Sequence, residues 1–170
     1  MLPWIFPLNV RRVSFSKHLF IDGANIVHAW PETRALLKHD RDAARANLSQ
    51  RVSVLHDLEQ VRVTIVFDGR GDELVVERPS GQLTFTHLYT PSGTTADDVI
   101  EQLVGNAKDA AACVVATDDR AERQTIAALG AAGISSDDLA AWVKRAEERQ
   151  RAQVSGLKRE NEREWRRPKS

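Results

Sequence analysis

The chain has 170 residues, enough for one domain that buries its own core. Its hydrophobic content of 42% and charged content of 28% are those of a globular protein, and a single cysteine, Cys113, excludes an internal disulfide and points to a reducing compartment. The formal charge sums to zero but is divided: Lys144–Ser170 carries ten basic and five acidic residues, a net of +5, and the remainder carries −5. A basic tail of this kind fits a polyanionic partner, and it fits a solvated amphipathic helix equally well.

Residues 1–16 read as an N-terminal appendage outside the fold. The apolar start Met1-Leu-Pro-Trp-Ile-Phe-Pro-Leu8 is short and interrupted by two prolines, with no basic residue ahead of it and no small-residue cleavage site, so it makes a poor signal peptide. No apolar run approaches the roughly 20 residues needed to cross a bilayer. The expected location is therefore cytoplasmic, with no membrane partner.

Lys17-His-Leu-Phe-Ile21 is a short strand ending at Asp22, followed by a loop and a first helical turn over Gly23–Trp30, closed by Pro31. Asp40–Gln60 is a helix with Asp40 as its cap, because Ala44, Leu48, Val52 and Leu55 share one face. Val61–Phe67 is rich in β-branched residues, and its apolar end suits a strand covered on both sides. After a turn at Gly69–Asp72, Leu74–Glu77 and Gln82–Leu88 read as strands around Pro79-Ser-Gly81. Thr95 opens a helix from Ala96 to about Lys108, with Asp98 at the capping-box position. Ala112–Thr117 is a buried strand carrying the apolar Cys113, and a helix from Arg120 to Leu129 stops at Gly130. Gly133-Ile134 makes a last short strand, and Ser136 caps a long helix from Asp137 to about Val154. This gives a domain over 17–153 and a basic tail over 154–170, helical as far as Trp165. Alternating strands and helices imply an α/β fold with a mostly parallel sheet and a working site beyond the carboxyl ends of its strands.

Three of these strands end in aspartate: at Asp22, at Asp68 and at Asp118-Asp119; a further pair, Asp97-Asp98, opens a helix. In a parallel sheet the strand ends converge. Crowded carboxylates repel and resent burial, and a hard divalent cation such as Mg²⁺ or Mn²⁺ removes both costs. Such an ion activates water and stabilises charge developing on a phosphoryl group, which is the chemistry of phosphodiester hydrolysis. Each aspartate also has a plain alternative, since aspartate after a strand commonly caps the next helix or starts a turn. Asn25 has an amide suited to orienting a carboxylate or phosphate oxygen, or to a local turn bond. The five histidines show no metal-ligand spacing, His56 reads as a surface or boundary position, and neither a G-x-S-x-G elbow nor a P-loop is present.

The segment Leu19-Phe-Ile-Asp-Gly-Ala-Asn-Ile-Val-His-Ala-Trp-Pro31 resembles the opening of the YacP-like branch of the NYN domains, within the PIN-like nuclease superfamily, which start with a hydrophobic strand, D-G-Y-N and a short helix closing in A-W-P. The resemblance continues in order through Val63–Asp68, Thr95–Glu101 (T-A-D-E-x-I-E), Val114–Asp119 (V-A-T-S-D), Ser136–Leu139 and Glu164–Arg167. It spans Lys17 to about Arg167. D-G-x-N alone is weak; the ordered set with A-W-P is specific.

The resemblance implies a PIN-like three-layer fold, with a central parallel sheet of about five strands between helices. It also implies metal-dependent cleavage of single-stranded RNA, in some members on translating ribosomes. Asp22, Asn25, Asp97 and Asp119 fall on the family's acidic-site positions, and Asp68 falls beside them. Asp98 replaces its glutamate, Asp118 its serine, and Ala24 its tyrosine; Gly133-Ile-Ser135 lacks its arginine, and the loop after Asp68 is short. The expectation is an endoribonuclease with Asp22, Asp97 and Asp119 holding Mg²⁺ or Mn²⁺, helped by Asp68 or Asp118. Asn25 would orient a ligand or the phosphate, and an in-line attack would leave a 5′-phosphate. Lys158, Arg159, Arg163, Arg166 and Arg167 would attract RNA or the ribosome, with Trp165 either stacking on a base or packing on the domain. The rivals are a non-catalytic RNA- or ribosome-binding module of the same fold and a phosphatase of small molecules.

Overall fold

The structure, a computed structural model, describes residues 14–167. Its elements are β1 (Lys17–Asp22), α1 (Gly23–Ala29), α2 (Pro31–Leu37), α3 (Arg41–Glu59), β2 (Val61–Asp68), β3 (Val75–Glu77), β4 (Phe85–Thr90), α4 (Ala96–Gly105), β5 (Cys113–Ala116), α5 (Arg120–Ala128), β6 (Ala132–Ile134) and α6 (Ser136–Trp165), with one 3₁₀ turn at Ala110–Ala112. Six strands form one sheet in the order β3-β4-β2-β1-β5-β6. All neighbours are parallel except the short edge strand β3, which runs antiparallel to β4. The sheet has one strand more than the five or so expected, and its edges are the three-residue β3 and β6.

Strand alternation distributes the core over both faces. Leu19, Ile21, Val63, Ile65 and Phe67 pack against α1, α3 and the start of α6. Phe20, Val66, Val115 and Leu88 pack against α4 and α5 on the other face. Each central strand must be apolar on both sides, which is why β2 reads as a nearly continuous hydrophobic run.

The Trp30-Pro31 pair divides the first helical segment in two. Trp30 is extended, Pro31 starts α2 where its missing N–H costs nothing, and the buried Thr33 hydroxyl donates to the carbonyls of Val27 (2.8 Å) and Trp30 (3.1 Å). The Trp30 indole donates to the Ser136 carbonyl at 3.0 Å, tying this corner to the start of α6. The cap of α6 is Ser135, in a full capping box with Asp138, one residue earlier than expected. The helix runs unbroken through Gly156 to Trp165. Leu139, Val143 and Ala146 are its buried apolar face, Trp142 donates to Glu59 at 2.7 Å, and Arg149 pairs with the same carboxylate. From Glu148 onward every described residue is exposed, a projection of about 27 Å at 1.5 Å per residue. Trp165, 91% exposed, stacks on no ring among the described residues.

His56 corrects a boundary expectation. It is buried, with Nδ1 bonded to Asp57 (2.8 Å) and Nε2 to Thr84 (2.7 Å), and the ring of Phe15 stacks on it. Phe15 therefore touches the domain, although it falls in the segment read as an appendage; residues 1–13 of that segment lie outside the described residues. Among the described residues no helix is long and apolar enough to cross a membrane.

Two glycines are required by close approach. A Cβ on Gly23 would lie 2.3 Å from Phe67 Cδ1 and 2.9 Å from the Val66 carbonyl, and one on Gly69 would lie 2.2 Å from the Thr90 carbonyl oxygen. Gly23→Ala should lower the unfolding free energy by about 1–3 kcal/mol through overpacking. Denaturant titration checks this, and an unchanged midpoint would show that β2 yields freely at Phe67.

Candidate functional site

β1 lies between β2 and β5, and chain order reverses across it: β2 and β4 lie on one side, β5 and β6 on the other. The crevice between β1 and β5 is thus the topological switch point, where α/β sheets open beyond their strand ends. The register pairs Asp22 with Val66 and Ile21 with Ala116, so Asp22 is the last residue of the central strand at that crevice.

Local structure fixes each acidic group. Asp22 is buried and caps α1, accepting from Asn25 N–H at 3.3 Å. Asp97 sits in the first turn of α4, whose start is held by the Thr95–Asp98 capping box and by the Ala96 N–H donating to Asp68 (3.3 Å). Glu122 sits in the first turn of α5. One carboxylate oxygen each from Asp22, Asp97 and Glu122 lie within 4.8 Å of one another.

Glu122 was missed in the sequence. It stands three residues after the cap Asp119, where a glutamate ordinarily closes a capping box. Here Asp119 N–H donates to Thr117 Oγ1 at 3.2 Å instead, and the Glu122 side chain turns inward. It is 2% exposed, and neither carboxylate oxygen has a hydrogen-bond partner among the described residues. The D-x-x-E spacing was visible, but it signals a cap and not a site.

The expected residues fall into distinct places. Asp22 and Asp97 meet. Asp119 spends one oxygen on the N–H groups of Ala121 (2.8 Å) and Glu122 (3.3 Å) as the cap of α5, and its charge acts on Glu122. Asp68 borders the cluster and adds its charge to Asp22. Asp118 points elsewhere, accepting from Ser136 N–H (2.8 Å) and Ser136 Oγ (2.6 Å), so its carboxylate holds the start of α6. The Asn25 amide oxygen accepts from Asp118 N–H at 2.9 Å and ties α1 to the loop after β5. Lys158, Arg159, Arg163, Arg166 and Arg167 lie on the exposed extension of α6.

Burial pushes the Asp22 carboxyl up to about 7; Asp97, near enough to share a proton, and Asp68 push the same way, while the Asn25 N–H opposes. Burial pushes Glu122 up to about 8, with the charges of Asp22, Asp97 and Asp119 adding to it. The Thr117 hydroxyl works against that shift, although it does not reach hydrogen-bond geometry with either oxygen. Two buried carboxyls that hold protons near neutrality, one with both oxygens unpartnered, fit a hard divalent cation, which would take those oxygens and displace the protons.

The YacP-like NYN domain model matches residues 19–169. The chain belongs to that family. The protein YacP of Bacillus subtilis (strain 168) is 31% identical over 134 residues, covering 77% of each chain. Two crystal structures of Rae1 (YacP) from Bacillus subtilis, one of a tryptophan-to-leucine mutant, superpose with a TM-score of 0.71 at 28% identity over 85% of this chain, and over 85% and 83% of theirs. Membership makes this a nuclease-like domain of the PIN-like kind, with RNA as the indicated class of substrate and the acidic cluster as a possible metal site.

The raised carboxyls set a pH dependence. In the metal-free native state Asp22 up to about pH 7 and Glu122 up to about pH 8 keep protons that the unfolded chain has lost, while burial depresses His18 to about 4 and lowers His87, which act in the opposite sense below about pH 6.5. Stability therefore falls with rising pH chiefly between about pH 6.5 and 8, by up to roughly 1.4 kcal/mol per unit for each carboxyl. Thermal melts of metal-free protein should show this fall, Glu122→Gln should flatten it, and Mn²⁺ should raise the melting temperature most above pH 7. A wild-type profile flat from about pH 6.5 to 8 would contradict the buried cluster. Asp118→Ala should cost about 1–3 kcal/mol by stranding the buried Ser136 groups, yet keep the Mn²⁺-induced rise.

Proposed function

We propose that this protein is a metal-dependent endoribonuclease acting on single-stranded RNA. The observation that carries the reading is the unpartnered, buried Glu122 carboxylate meeting Asp22 and Asp97 at the switch point. Asp22, Asp97 and Glu122 would hold one Mg²⁺ or Mn²⁺, with Asp119 and Asp68 as adjacent carboxylates able to complete the set. The ion would supply Lewis acidity toward a phosphoryl oxygen and a more acidic water at neutral pH.

The chain's own residues supply position. Asp22 is held by its cap, and the fixed start of α4 and the first turn of α5 set the backbone positions from which Asp97 and Glu122 reach it. Asn25 acts through the Asp118 backbone and keeps the β5–α5 loop against α1; it is a positioning residue. Asp118 belongs to the support of α6.

The exposed extension of α6 presents Lys158, Arg159, Arg163, Arg166 and Arg167 around the exposed Trp165. These cations would draw in the RNA backbone, with ribosomal RNA as one source, and the indole offers a stacking face.

Incubation of single-stranded RNA with Mn²⁺ should give fragments bearing 5′-phosphates. Asp22→Asn, which keeps the cap of α1, and Asp97→Asn and Glu122→Gln should each lower the rate by about two orders of magnitude or more. Cleavage that survives all three rejects the assignment; binding without cleavage by the wild type would instead favour a non-catalytic RNA-binding module. Arg166→Ala with Arg167→Ala should weaken RNA binding and reduce the slope of log affinity against log salt by about 0.7 per lost phosphate contact.

A further inference from the structure

Beside the acidic cluster lies a cavity of about 310 Å³ that this function leaves unused. Its apolar lining comes from Ala24, Val27, Leu37 and Phe67; its charged lining is Arg41, Arg45 and Asp68, with the exposed His28 alongside. The cavity adjoins the site directly. Ala24 is two residues past Asp22, Phe67 packs under Gly23, and Asp68 is the carboxylate whose charge acts on Asp22.

Arg45 is held in a fixed plane. Its Nη2 donates to the Asp68 carbonyl at 3.0 Å, and its Cζ lies 5.0 Å from the Phe67 ring centre and 5.4 Å from that of Tyr89. Those two rings stack on each other 5.6 Å apart. A guanidinium so restrained has already lost its rotamer freedom, and its outer plane is a surface on which a nucleobase stacks. Arg41, one helical turn earlier on α3, adds a second exposed cation on the same face.

A larger cavity of about 390 Å³ shares Arg41, Arg45 and Asp68 and adds Arg70, but Asp42, Glu73 and Glu77 also line it and leave carboxylates in the majority, which disfavours a polyanion there. The smaller one combines apolar walls with cations and stands at the lower end of the sizes that hold small molecules, from roughly 300 Å³.

We propose that this cavity receives one unstacked base of the single-stranded RNA, stacked against the Arg45 guanidinium, with Arg41 on the adjoining phosphate. The site thereby binds the nucleotide next to the bond that is cut. This rests on the ribonuclease reading and names where its substrate is gripped. Ala24 is the gate, because any larger side chain there projects into the space the base would fill.

The test is fluorescence anisotropy with a short labelled single-stranded RNA in the Asp97→Asn background, together with a series in which each base in turn is replaced by an abasic ribose. One abasic position should weaken binding by about 5- to 100-fold. Adding Ala24→Trp should cause a similar loss and abolish the sensitivity to that position; Arg45→Lys, which keeps the charge and loses the plane, should do the same. If Ala24→Trp does not fold, as judged by its melting curve, Ala24→Leu serves. A flat abasic series in RNA that the Asp97→Asn protein binds and the wild type cuts, or an Ala24 variant that retains the sensitivity, overturns the cavity assignment alone. RNA neither bound nor cut by the wild type overturns the ribonuclease reading with it. A mononucleotide competing as tightly as the RNA would overturn the proposal in favour of a free-nucleotide site.

Discussion

The whole arrangement depends on the cost of placing like charges together out of water. Two unit charges 4.8 Å apart repel by about 3 kcal/mol even at an effective dielectric of 20, before any desolvation is counted. Asp22 and Glu122 are buried, and neither can retreat. Asp22 is the end of the central strand and the cap of α1; Glu122 is fixed by the first turn of α5, beneath a backbone N–H that has turned to Thr117 instead. The metal-free protein meets the cost by retaining protons. A divalent cation would meet it better, since it satisfies both unpartnered oxygens at once.

Topology explains why such an expensive cluster can be built. At the switch point the connections from β1 and β5 leave in opposite directions, so no loop crosses the crevice. The two sides are then cross-tied from behind. Asn25 binds the backbone at Asp118, Asp118 binds Ser136, and Trp30 binds the Ser136 carbonyl. The D-G-x-N and A-W-P segments are therefore parts of one brace. Gly23 admits the Phe67 ring, Asn25 reaches β5, and Trp30-Pro31 reaches α6. Each residue type is demanded by the place it must reach, which is why the segment is specific as a set although its pieces are individually weak.

The parts of the site legible in the sequence were those that local structure also requires. Asp22 and Asp97 stand where a strand ends and a helix begins, and that placement survives folding unchanged. Glu122 was not legible, because its spacing from Asp119 has a complete local explanation that the structure does not use. Asp118 failed to distinguish itself for the opposite reason: it ends a buried strand like the others, and only the position of Ser136, eighteen residues on, decides which way its carboxylate turns. The body of the fold was readable because both-face burial leaves continuous apolar strands. The continuity of α6 was less so: the helix ending near Val154 and the tail helical as far as Trp165 are one unbroken element through Gly156. Beyond it, Lys158 with Glu162 and Glu162 with Arg166 stand at i,i+4 spacing, which favours continuing the helix by a few tenths of a kcal/mol per pair.

An acidic site for a polyanionic substrate needs attraction from elsewhere. Outside the C-terminal 27 residues the chain carries −5, so its long-range field repels RNA, and the compensating +5 is carried on α6 and its end. Field and contact act on different scales here. At physiological salt the Debye length is about 8 Å, so cations along a projection of about 27 Å cannot neutralise the cluster; they can only hold a strand near it. Closer in, Arg45 is positioned by packing on Phe67 and Tyr89 and by its bond to the Asp68 carbonyl, so its contribution should resist salt where that of α6 does not. On the proposed reading, capture would belong to a salt-sensitive arm and registration to a salt-resistant groove. On the same reading the carboxylates would contribute to neither until a cation occupied them, and metal occupancy would convert a repulsive surface into one where a phosphate can rest.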